Sequence, residues 1–214
     1  MKAFIFDMDG VIVNSEPLHS KMKLLTLEQY GLSAAGFNLS SYMGRPSKDF
    51  FREVLAAQPH GELDAKKLAD HKHRLYLERI AEDEALTMIE GIDVLLAELR
   101  RREIPVALAS SSARHVIETV LARFGLREYF SAVLSGAELP ASKPDPAVYL
   151  LAAEALGVEP EGCVVLEDAD AGITAAKRAG MYCIAYRNPC SGEQSLSGAD
   201  LIVDSIAEID LAAL

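Results

Sequence analysis

The sequence predicts an α/β fold in which a mostly parallel sheet carries an inserted all-helical segment. Short apolar runs, typical of strands buried on both faces, alternate with helical patterns from about residue 91 onward. One further apolar run stands alone near the N-terminus, and no convincing strand follows it until after residue 87. Alternating strands and helices with short connections favour parallel pairing with right-handed crossovers.

The segment after the N-terminal strand carries only helical patterns. Ser15 and Pro17 suit the start of a helix, and Gly31 suits its end. Helices are predicted here over residues 18–30, 47–57 and 64–81. The expected domains are an α/β core, residues 1–15 and 88–214, and a helical cap, residues 16–87.

The second half of the chain supplies the remaining strands of the predicted sheet. These strands are expected over residues 104–109, 132–134, 163–166, 182–185 and 201–203. The helices between them are expected over residues 92–99, 116–124, 146–156 and 171–178.

The composition indicates a globular protein. Of its 214 residues 50% are hydrophobic, which is enough for a sizeable core. No apolar run is long enough to cross a membrane, and the chain enters its first strand without a basic leader, so we expect a cytoplasmic protein without a membrane partner. The net charge of −11 argues against nucleic acid as a partner. The three cysteines lack metal-type spacing, and we expect them to be reduced and structural.

Two carboxylates follow the N-terminal strand directly. Asp7 and Asp9 share a face of an extended segment, so both could address one small volume, and Gly10 allows a sharp turn after them. Taken alone, the D-x-D-G pattern has a second interpretation, a surface turn. The choice depends on whether other strands bring partners to the same place.

Polar residues also follow the other predicted strands. Ser110 ends the second strand, Lys143 lies in the loop after the third, and Glu167 and Asp168 follow the fourth. Ligands of parallel sheets bind at the carboxyl ends of the strands, so these side chains are expected to form one site. Crowded carboxylates need a hard cation, and a set of oxygen ligands suits Mg²⁺.

The same residue types suit phosphoryl transfer. The hydroxyl of Ser110 and the ammonium of Lys143 are groups that a phosphate requires. Phosphoryl transfer depends mainly on positioning and charge neutralisation. We therefore interpret Asp7 as the nucleophile and Asp9 as the general acid and base.

Four short motifs resemble those of the haloacid dehalogenase-like superfamily, and the resemblance spans nearly the whole chain. They are D-M-D-G-V at residues 7–11, A-S-S at 109–111, K-P-D-P at 143–146 and E-D-A-x-A-G at 167–172. The helical insertion resembles that of the subgroup with phosphoglycolate phosphatase, sugar phosphatases and β-phosphoglucomutase. The resemblance implies a Rossmann-like core, Mg²⁺, an aspartyl-phosphate intermediate and, as is common in the subgroup, a monomer.

The resemblance also implies a role for each matching residue. Asp7 is implied to be nucleophile and metal ligand, and Asp9 the acid and base whose main-chain carbonyl also binds the metal. Glu167 and Asp168 complete the implied metal site. The implied phosphate-binding residues are Ser110, Ser111 and Lys143.

Four residues of the helical segment are candidates for substrate contact: His19, Arg45, Lys48 and Lys72. His19 lies one turn into the first helix, where a solvated surface histidine is an equally good interpretation. Arg45 and Lys48 follow Gly44 in a loop. In the subgroup that the sequence resembles, this loop recognises the leaving group of the substrate.

The sequence favours a phosphatase that hydrolyses a small phosphorylated metabolite of the sugar-phosphate type. The alternative is a β-phosphoglucomutase-like mutase, because His19 and Lys72, the latter in L-A-x-x-K, resemble residues of the mutase signature. Against it, Ser47 stands where the mutase loop pattern has an arginine. A third hypothesis, a non-catalytic phosphate-binding protein, predicts the loss of Asp7 or Asp9, and both are present.

Overall fold

The computed structural model describes residues 1–42, 47–58, 61, 63–192 and 194–214. The strands in this part of the chain are β1 (Ala3–Phe6), β2 (Val13–Asn14), β3 (Thr87–Met88), β4 (Val106–Ser110), β5 (Ala132–Ser135), β6 (Cys163–Glu167), β7 (Tyr182–Tyr186) and β8 (Leu201–Val203). The α-helices are α1 (Glu16–Gln29), α2 (Ser47–Ala57), α3 (Ala65–Arg79), α4 (Ile92–Arg101), α5 (Arg114–Arg123), α6 (Ala147–Leu156) and α7 (Asp170–Arg178). Short 3-10 helices span Leu39–Tyr42, Arg127–Tyr129, Gly136–Glu138, Pro160–Gly162 and Ile206–Glu208.

Six strands form one parallel sheet in the order β5-β4-β1-β6-β7-β8, which confirms the predicted fold class. The chain runs from β1 outward through β4 to β5, and then crosses to the other side of β1 for β6, β7 and β8. The strand order therefore reverses at β1. In open α/β sheets this reversal opens a crevice at the carboxyl ends of the strands, where ligands bind.

The three central strands are buried along their whole length. Every residue of β1, β4 and β6 is inaccessible to solvent or nearly so. This burial explains their continuous apolar sequences, because both faces of a parallel sheet are covered. Helix α6 packs over β1, β4 and β5 and brings the buried ring of Tyr149 onto the central strands.

The chain forms two compact units. The first contains the parallel sheet and comprises Met1–Asn14 and Thr87–Leu214, and the second comprises Ser15–Leu86. In the second unit, α3 packs against both α1 and α2. Its core is apolar and includes Leu27, Phe50, Phe51, Val54 and Leu68.

A small antiparallel ladder lies where the chain leaves the first unit and returns to it. Val13 pairs with Met88, and Asn14 pairs with Thr87. The sequence analysis predicts neither strand, because two residues are too few to show a periodicity. The ladder holds the two connecting segments side by side.

Two expectations from composition can be compared with the described residues. No helix among them has the length and apolar character needed to span a membrane. Cys163 and Cys183 are buried in the core, Cys190 is half-buried, and all three are free thiols.

Candidate active site

Pairing between the central strands fixes the position of Asp7. Phe6 lies in register with Leu108 of β4 and Leu166 of β6. The main-chain N–H of Asp7 then donates to the carbonyl of Leu166, at 3.0 Å. Because long-range strand pairing continues to this residue, Asp7 belongs to the sheet edge and not to an isolated surface turn.

The ammonium of Lys143 joins two of the carboxylates. Its Nζ lies 2.6 Å from Oδ1 of Asp7 and 2.8 Å from Oε1 of Glu167. It also donates to the carbonyl of Ala109 at 3.1 Å and lies 4.7 Å from the ring centre of Tyr149. All three charged side chains are at least nine-tenths buried. Their contacts are therefore screened little by solvent.

Each oxygen of Glu167 accepts two hydrogen bonds. Besides Lys143, Oε1 accepts from the hydroxyl of Tyr149 at 2.7 Å. Oε2 accepts from the main-chain N–H groups of Asp168 at 2.9 Å and Ala169 at 3.0 Å. Four donors hold this carboxylate in a single orientation.

Two glycines make room for the carboxylates. A Cβ atom at residue 172 would overlap the carboxylate of Glu167, and one at residue 10 would overlap Oδ2 of Asp168. Gly10 also has a φ of +85°, which only glycine adopts without strain. The glycines of the first and fourth motifs are thus explained by close approach of the acidic side chains.

The loop after β7 supports the site, and the sequence analysis does not predict this. The hydroxyl of Ser191 donates to Oδ2 of Asp168. The side-chain amide of Asn188 donates to the carbonyl of Gly10 at 2.8 Å. These partners are far apart in the chain, and no local pattern marks them, so only the fold reveals them.

Asp9 lies outside this cluster and has a different environment. Its Oδ2 accepts a hydrogen bond from the hydroxyl of Ser112 at 2.9 Å. Its Oδ1 is buried, and in the described part of the chain no donor contacts it. The two aspartates of the first motif therefore have separate partners.

The other phosphate-binding candidates differ in exposure. Ser110 is fully buried, and its Oγ accepts from the main-chain N–H of Ser112 at 3.0 Å. Ser111 is exposed. Lys143 contacts carboxylates in this structure, so any contact with phosphate would use the same ammonium.

The cap candidates lie in the second unit, except for one outside the described residues. Arg45 is the candidate outside the described residues. Lys48 lies on α2 and is exposed. Lys72 is buried, and its Nζ lies 2.6 Å from Nδ1 of His19. The imidazole of His19 also stacks on Tyr76, with ring centres 4.2 Å apart. His19 is half-buried and its ring contacts Lys72 and Tyr76, so it is not a solvated surface residue. Burial and the charge of Lys72 lower the pKa of His19 well below its ordinary value.

Burial and repulsion shift the pKa values in the acidic cluster. Burial raises the pKa of Asp7 well above its ordinary value, and the nearby carboxylates add to this shift while Lys143 opposes it. Burial and Glu167 raise the pKa of Asp168 to about 7. Burial also acts on Glu167, but Lys143 and the hydrogen bonds outweigh it and lower that pKa. The cluster therefore retains protons that exposed carboxylates release below neutral pH.

The cluster has the donor set of a hard cation. One oxygen from each of Asp7, Glu167 and Asp168 lies within 4.8 Å of the others. Three carboxylates against the single ammonium of Lys143 leave two negative charges when all are ionised. A divalent cation with a preference for oxygen ligands fits both the atoms and the charge.

Comparison with known proteins identifies the family. The sequence profile of the haloacid dehalogenase-like hydrolases matches residues 4–186. The chain belongs to this family. The match begins in β1 and ends in β7, so it includes every residue of the acidic cluster.

Named members of the family are similar over most of the chain. The fructose-1-phosphate phosphatase of Escherichia coli is 36% identical over 86% of this chain and 95% of its own length. The β-phosphoglucomutase of Bacillus subtilis is 31% identical over 100% of this chain and 94% of its own. The crystal structure of CbbY from Rhodobacter sphaeroides in complex with xylulose-1,5-bisphosphate has a TM-score of 0.79 and 29% identity, covering 100% of this chain and 99% of that one.

Replacing Tyr149 with phenylalanine tests the support of Glu167. Tyr149→Phe removes one donor to a buried carboxylate, so we expect a loss of about 1.5–3 kcal/mol in the free energy of unfolding. Urea denaturation measures it as a lower midpoint with an unchanged slope. Tyr182→Phe, at an exposed position, is the matched control and should change stability by less than about 0.5 kcal/mol. Equal effects of the two substitutions would contradict the role of the hydroxyl.

The raised pKa of Asp168 predicts a pH-dependent stability in protein freed of metal by EDTA. Between about pH 4 and pH 7 the folded state holds a proton that the unfolded chain has released, so stability falls as the pH rises through this range. Asp168→Asn removes the buried charge. We expect this variant to be more stable than the wild type at pH 7 and to lose less stability between pH 5 and pH 7, as measured by urea denaturation.

The comparison of variants reports Asp168 together with its effect on Asp7, because the charge of Asp168 helps to raise the pKa of Asp7. His19 acts in the opposite direction, because its lowered pKa makes stability fall as the pH drops, but it is present in both proteins. Asp170→Asn, at an exposed position near the start of α7, is the matched control. It should change stability by at most about 1 kcal/mol and leave the pH dependence as in the wild type. The prediction is wrong if both variants alter the pH dependence alike.

Proposed function

We propose that this protein is a Mg²⁺-dependent phosphatase that hydrolyses a small phosphorylated metabolite, a sugar phosphate, through an aspartyl-phosphate intermediate. The observation that carries the proposal is the pair Asp7 and Asp9 at the end of β1, with separate environments. One carboxylate lies in a charged cluster that suits a metal and a phosphate. The carboxylate of Asp9 lies near this cluster, and its buried Oδ1 has no hydrogen-bond donor among the described residues. We propose a cytoplasmic location, as the sequence analysis expects.

Asp7 is the proposed nucleophile. Its Oδ1 is bonded to Lys143, and in the described part of the chain no hydrogen-bond donor contacts Oδ2. Attack by this oxygen on phosphorus forms the aspartyl phosphate while the bond to the leaving oxygen breaks. Lys143 stabilises the ionised carboxylate and offers positive charge to the transferred phosphoryl group.

Asp9 is the proposed general acid and base. In the first step it gives its proton to the leaving oxygen, and in the second it takes a proton from the water that attacks the aspartyl phosphate. Both aspartates follow β1 directly, so both can reach the phosphoryl group of one substrate and its leaving oxygen. Ser112 donates to Oδ2 of Asp9, a partner that Asp7 does not share.

Asp7 and Asp168, with the main-chain carbonyl of Asp9, would hold the Mg²⁺. The resemblance also implies Glu167 as a metal ligand. Because each of its oxygens already accepts from two donors, we propose that Glu167 contributes mainly by orienting the cluster around the cation. When bound, the cation supplies the positive charge that keeps Asp7 ionised and neutralises the oxygens of the transferred group.

Relatives support the substrate class. The names of the two similar enzymes refer to sugar phosphates, and the CbbY complex contains a sugar bisphosphate. We propose that the unit Ser15–Leu86 acts as the cap that selects the substrate. His19, Arg45, Lys48 and Lys72 remain the candidates for this contact.

One observation favours a β-phosphoglucomutase-like alternative. Lys72 and His19, the two residues that resemble the mutase signature, are in direct contact. A panel of phosphorylated metabolites, assayed in parallel for phosphate release and for isomer formation, decides between the two functions. Formation of glucose 6-phosphate from β-glucose 1-phosphate without release of phosphate would favour the mutase.

Removing the nucleophile should abolish catalysis. We expect Asp7→Asn to reduce hydrolysis of p-nitrophenyl phosphate to the background rate. Asp9→Asn should lower kcat for the same ester about 10²–10⁴-fold, because hydrolysis of the aspartyl phosphate in the second step needs Asp9 as general base. Phosphate release measures both effects. Asp170→Asn is the control and should retain the wild-type rate. Activity that persists in Asp7→Asn would remove this residue as the nucleophile, and a folded wild type that binds phosphosugars without turnover would favour the binding protein.

Metal binding should be visible without an activity assay. We expect Mg²⁺ to raise the melting temperature of the EDTA-treated wild type, by an amount equivalent to about 2.7 kcal/mol when its concentration is a hundred times the dissociation constant. Asp168→Asn should lose most of this increase, whereas Asp170→Asn should retain it. An equal increase in both variants would contradict the assignment of the metal to this cluster.

A further inference from the structure

The hydroxyl of Ser112 contacts Asp9 across a long distance in the chain. Its Oγ lies 2.9 Å from Oδ2 of Asp9, although 103 residues separate the two. Ser112 follows β4 and Asp9 follows β1, so the contact depends on the pairing of these strands. It is a tertiary contact within the first unit.

Helix capping does not explain Ser112. The residue before the first turn of α5 is Ala113, and no side chain caps this helix end. A serine just before a helix ordinarily accepts a hydrogen bond from the first turn. Here the hydroxyl donates to a carboxylate instead.

The main chain of Ser112 is fixed at both of its polar groups. Its N–H donates to Oγ of Ser110 at 3.0 Å, and its carbonyl accepts from Oγ of Ser135 at 2.8 Å. Both partners are buried at the ends of neighbouring strands, where Ser110 lies in register with Ser135. Two buried hydroxyls thus anchor the residue that holds Asp9.

The contact leaves Asp9 with one held and one open oxygen. Oδ2 is bonded to Ser112, whereas Oδ1 is buried and, among the described residues, has no donor. An unsatisfied buried oxygen is costly and is expected mainly where function requires it. With Oδ2 held, rotation of the carboxyl group is restricted and Oδ1 has a defined direction.

We propose that Ser112 is a positioning residue that orients the carboxyl group of Asp9 for proton exchange with the leaving oxygen. The proposal rests on the proposed phosphatase function. The proton of Asp9 moves to the leaving oxygen as the bond from Asp7 to phosphorus forms, and it is recovered from water in the second step. In this role Ser112 keeps its own proton and acts through Asp9.

The leaving group of the substrate provides the test. An alkyl phosphate releases an alcohol that must be protonated, whereas p-nitrophenyl phosphate releases a stable phenolate that needs little help from an acid. The quantity to compare is kcat/KM, because it reports the steps up to release of the leaving group. Loss of a well-positioned acid should therefore affect the alkyl ester selectively.

We expect Ser112→Ala to lower kcat/KM for an alkyl phosphate about 10–100-fold and for p-nitrophenyl phosphate less than about 3-fold. The larger factor lies below the roughly 10²–10⁴-fold that a general acid itself contributes, because Asp9 remains present. Ser112→Thr, which keeps the hydroxyl, should restore most of the alkyl ester activity. Asp9→Asn should show the same selectivity with a larger factor. Ser135→Ala removes the hydrogen bond to the carbonyl of Ser112, and its selective loss of kcat/KM for the alkyl ester should be smaller than that of Ser112→Ala.

Ser131→Ala, at an exposed position before β5, is the control and should behave like the wild type on both esters. If Ser112→Ala lost the same factor on both esters while the wild type hydrolysed both, the positioning role would be overturned and the phosphatase function would stand. If the wild type hydrolysed neither ester, the phosphatase function would be wrong, and the positioning role with it.

Discussion

The buried contact of Lys143 with Asp7 and Glu167 is the interaction on which the site depends. Removing one ammonium and two carboxylates from water costs several kcal/mol for each ion unless hydrogen bonds replace the lost hydration. The fold supplies these bonds from Tyr149, from two main-chain N–H groups and from the carbonyl of Ala109. Even so, one negative charge on Asp7 and one on Asp168 exceed the positive charge present. When all three carboxylates are ionised, this excess is the charge that the proposed divalent cation would neutralise.

The same cluster explains local sequence choices that otherwise look unrelated. Glycine occupies positions 10 and 172 because a larger residue would overlap Asp168 or Glu167. The central strands are apolar and short, because they are covered on both faces and end where the charged residues begin. The loop after β7 returns to the site to bond Asp168 and the turn at Gly10. The motifs are far apart in the sequence, but the sheet brings their charged residues together where its strand order reverses.

The sequence was sufficient to predict the fold class and the positions of the site residues that lie at the ends of strands. Asp7, Ser110 and Glu167 could be predicted because each ends a continuous apolar run. Helix 47–57 was predicted with its observed bounds, whereas α3 begins one residue and ends two residues inside its predicted range, with Asp64 as its N-cap. Tyr149 and Ser191 could not be predicted, because their partners lie 18 and 23 residues away and depend on the packing of separate elements. Arg45 lies outside the described residues, so its proposed contact with substrate remains a prediction.

The chemistry of their partners separates the two aspartates of the first motif. Lys143 can only donate hydrogen bonds, so its contact favours the ionised form of Asp7, which is the form that the proposed nucleophile needs. A serine hydroxyl can donate to a carboxylate and can also accept from a carboxylic acid. Ser112 can therefore remain bonded to Asp9 in both protonation states, as a group that alternates between acid and base requires. In the proposed mechanism Asp7 stays charged and Asp9 changes its charge, and each residue has the kind of hydrogen-bond partner that its proposed role needs.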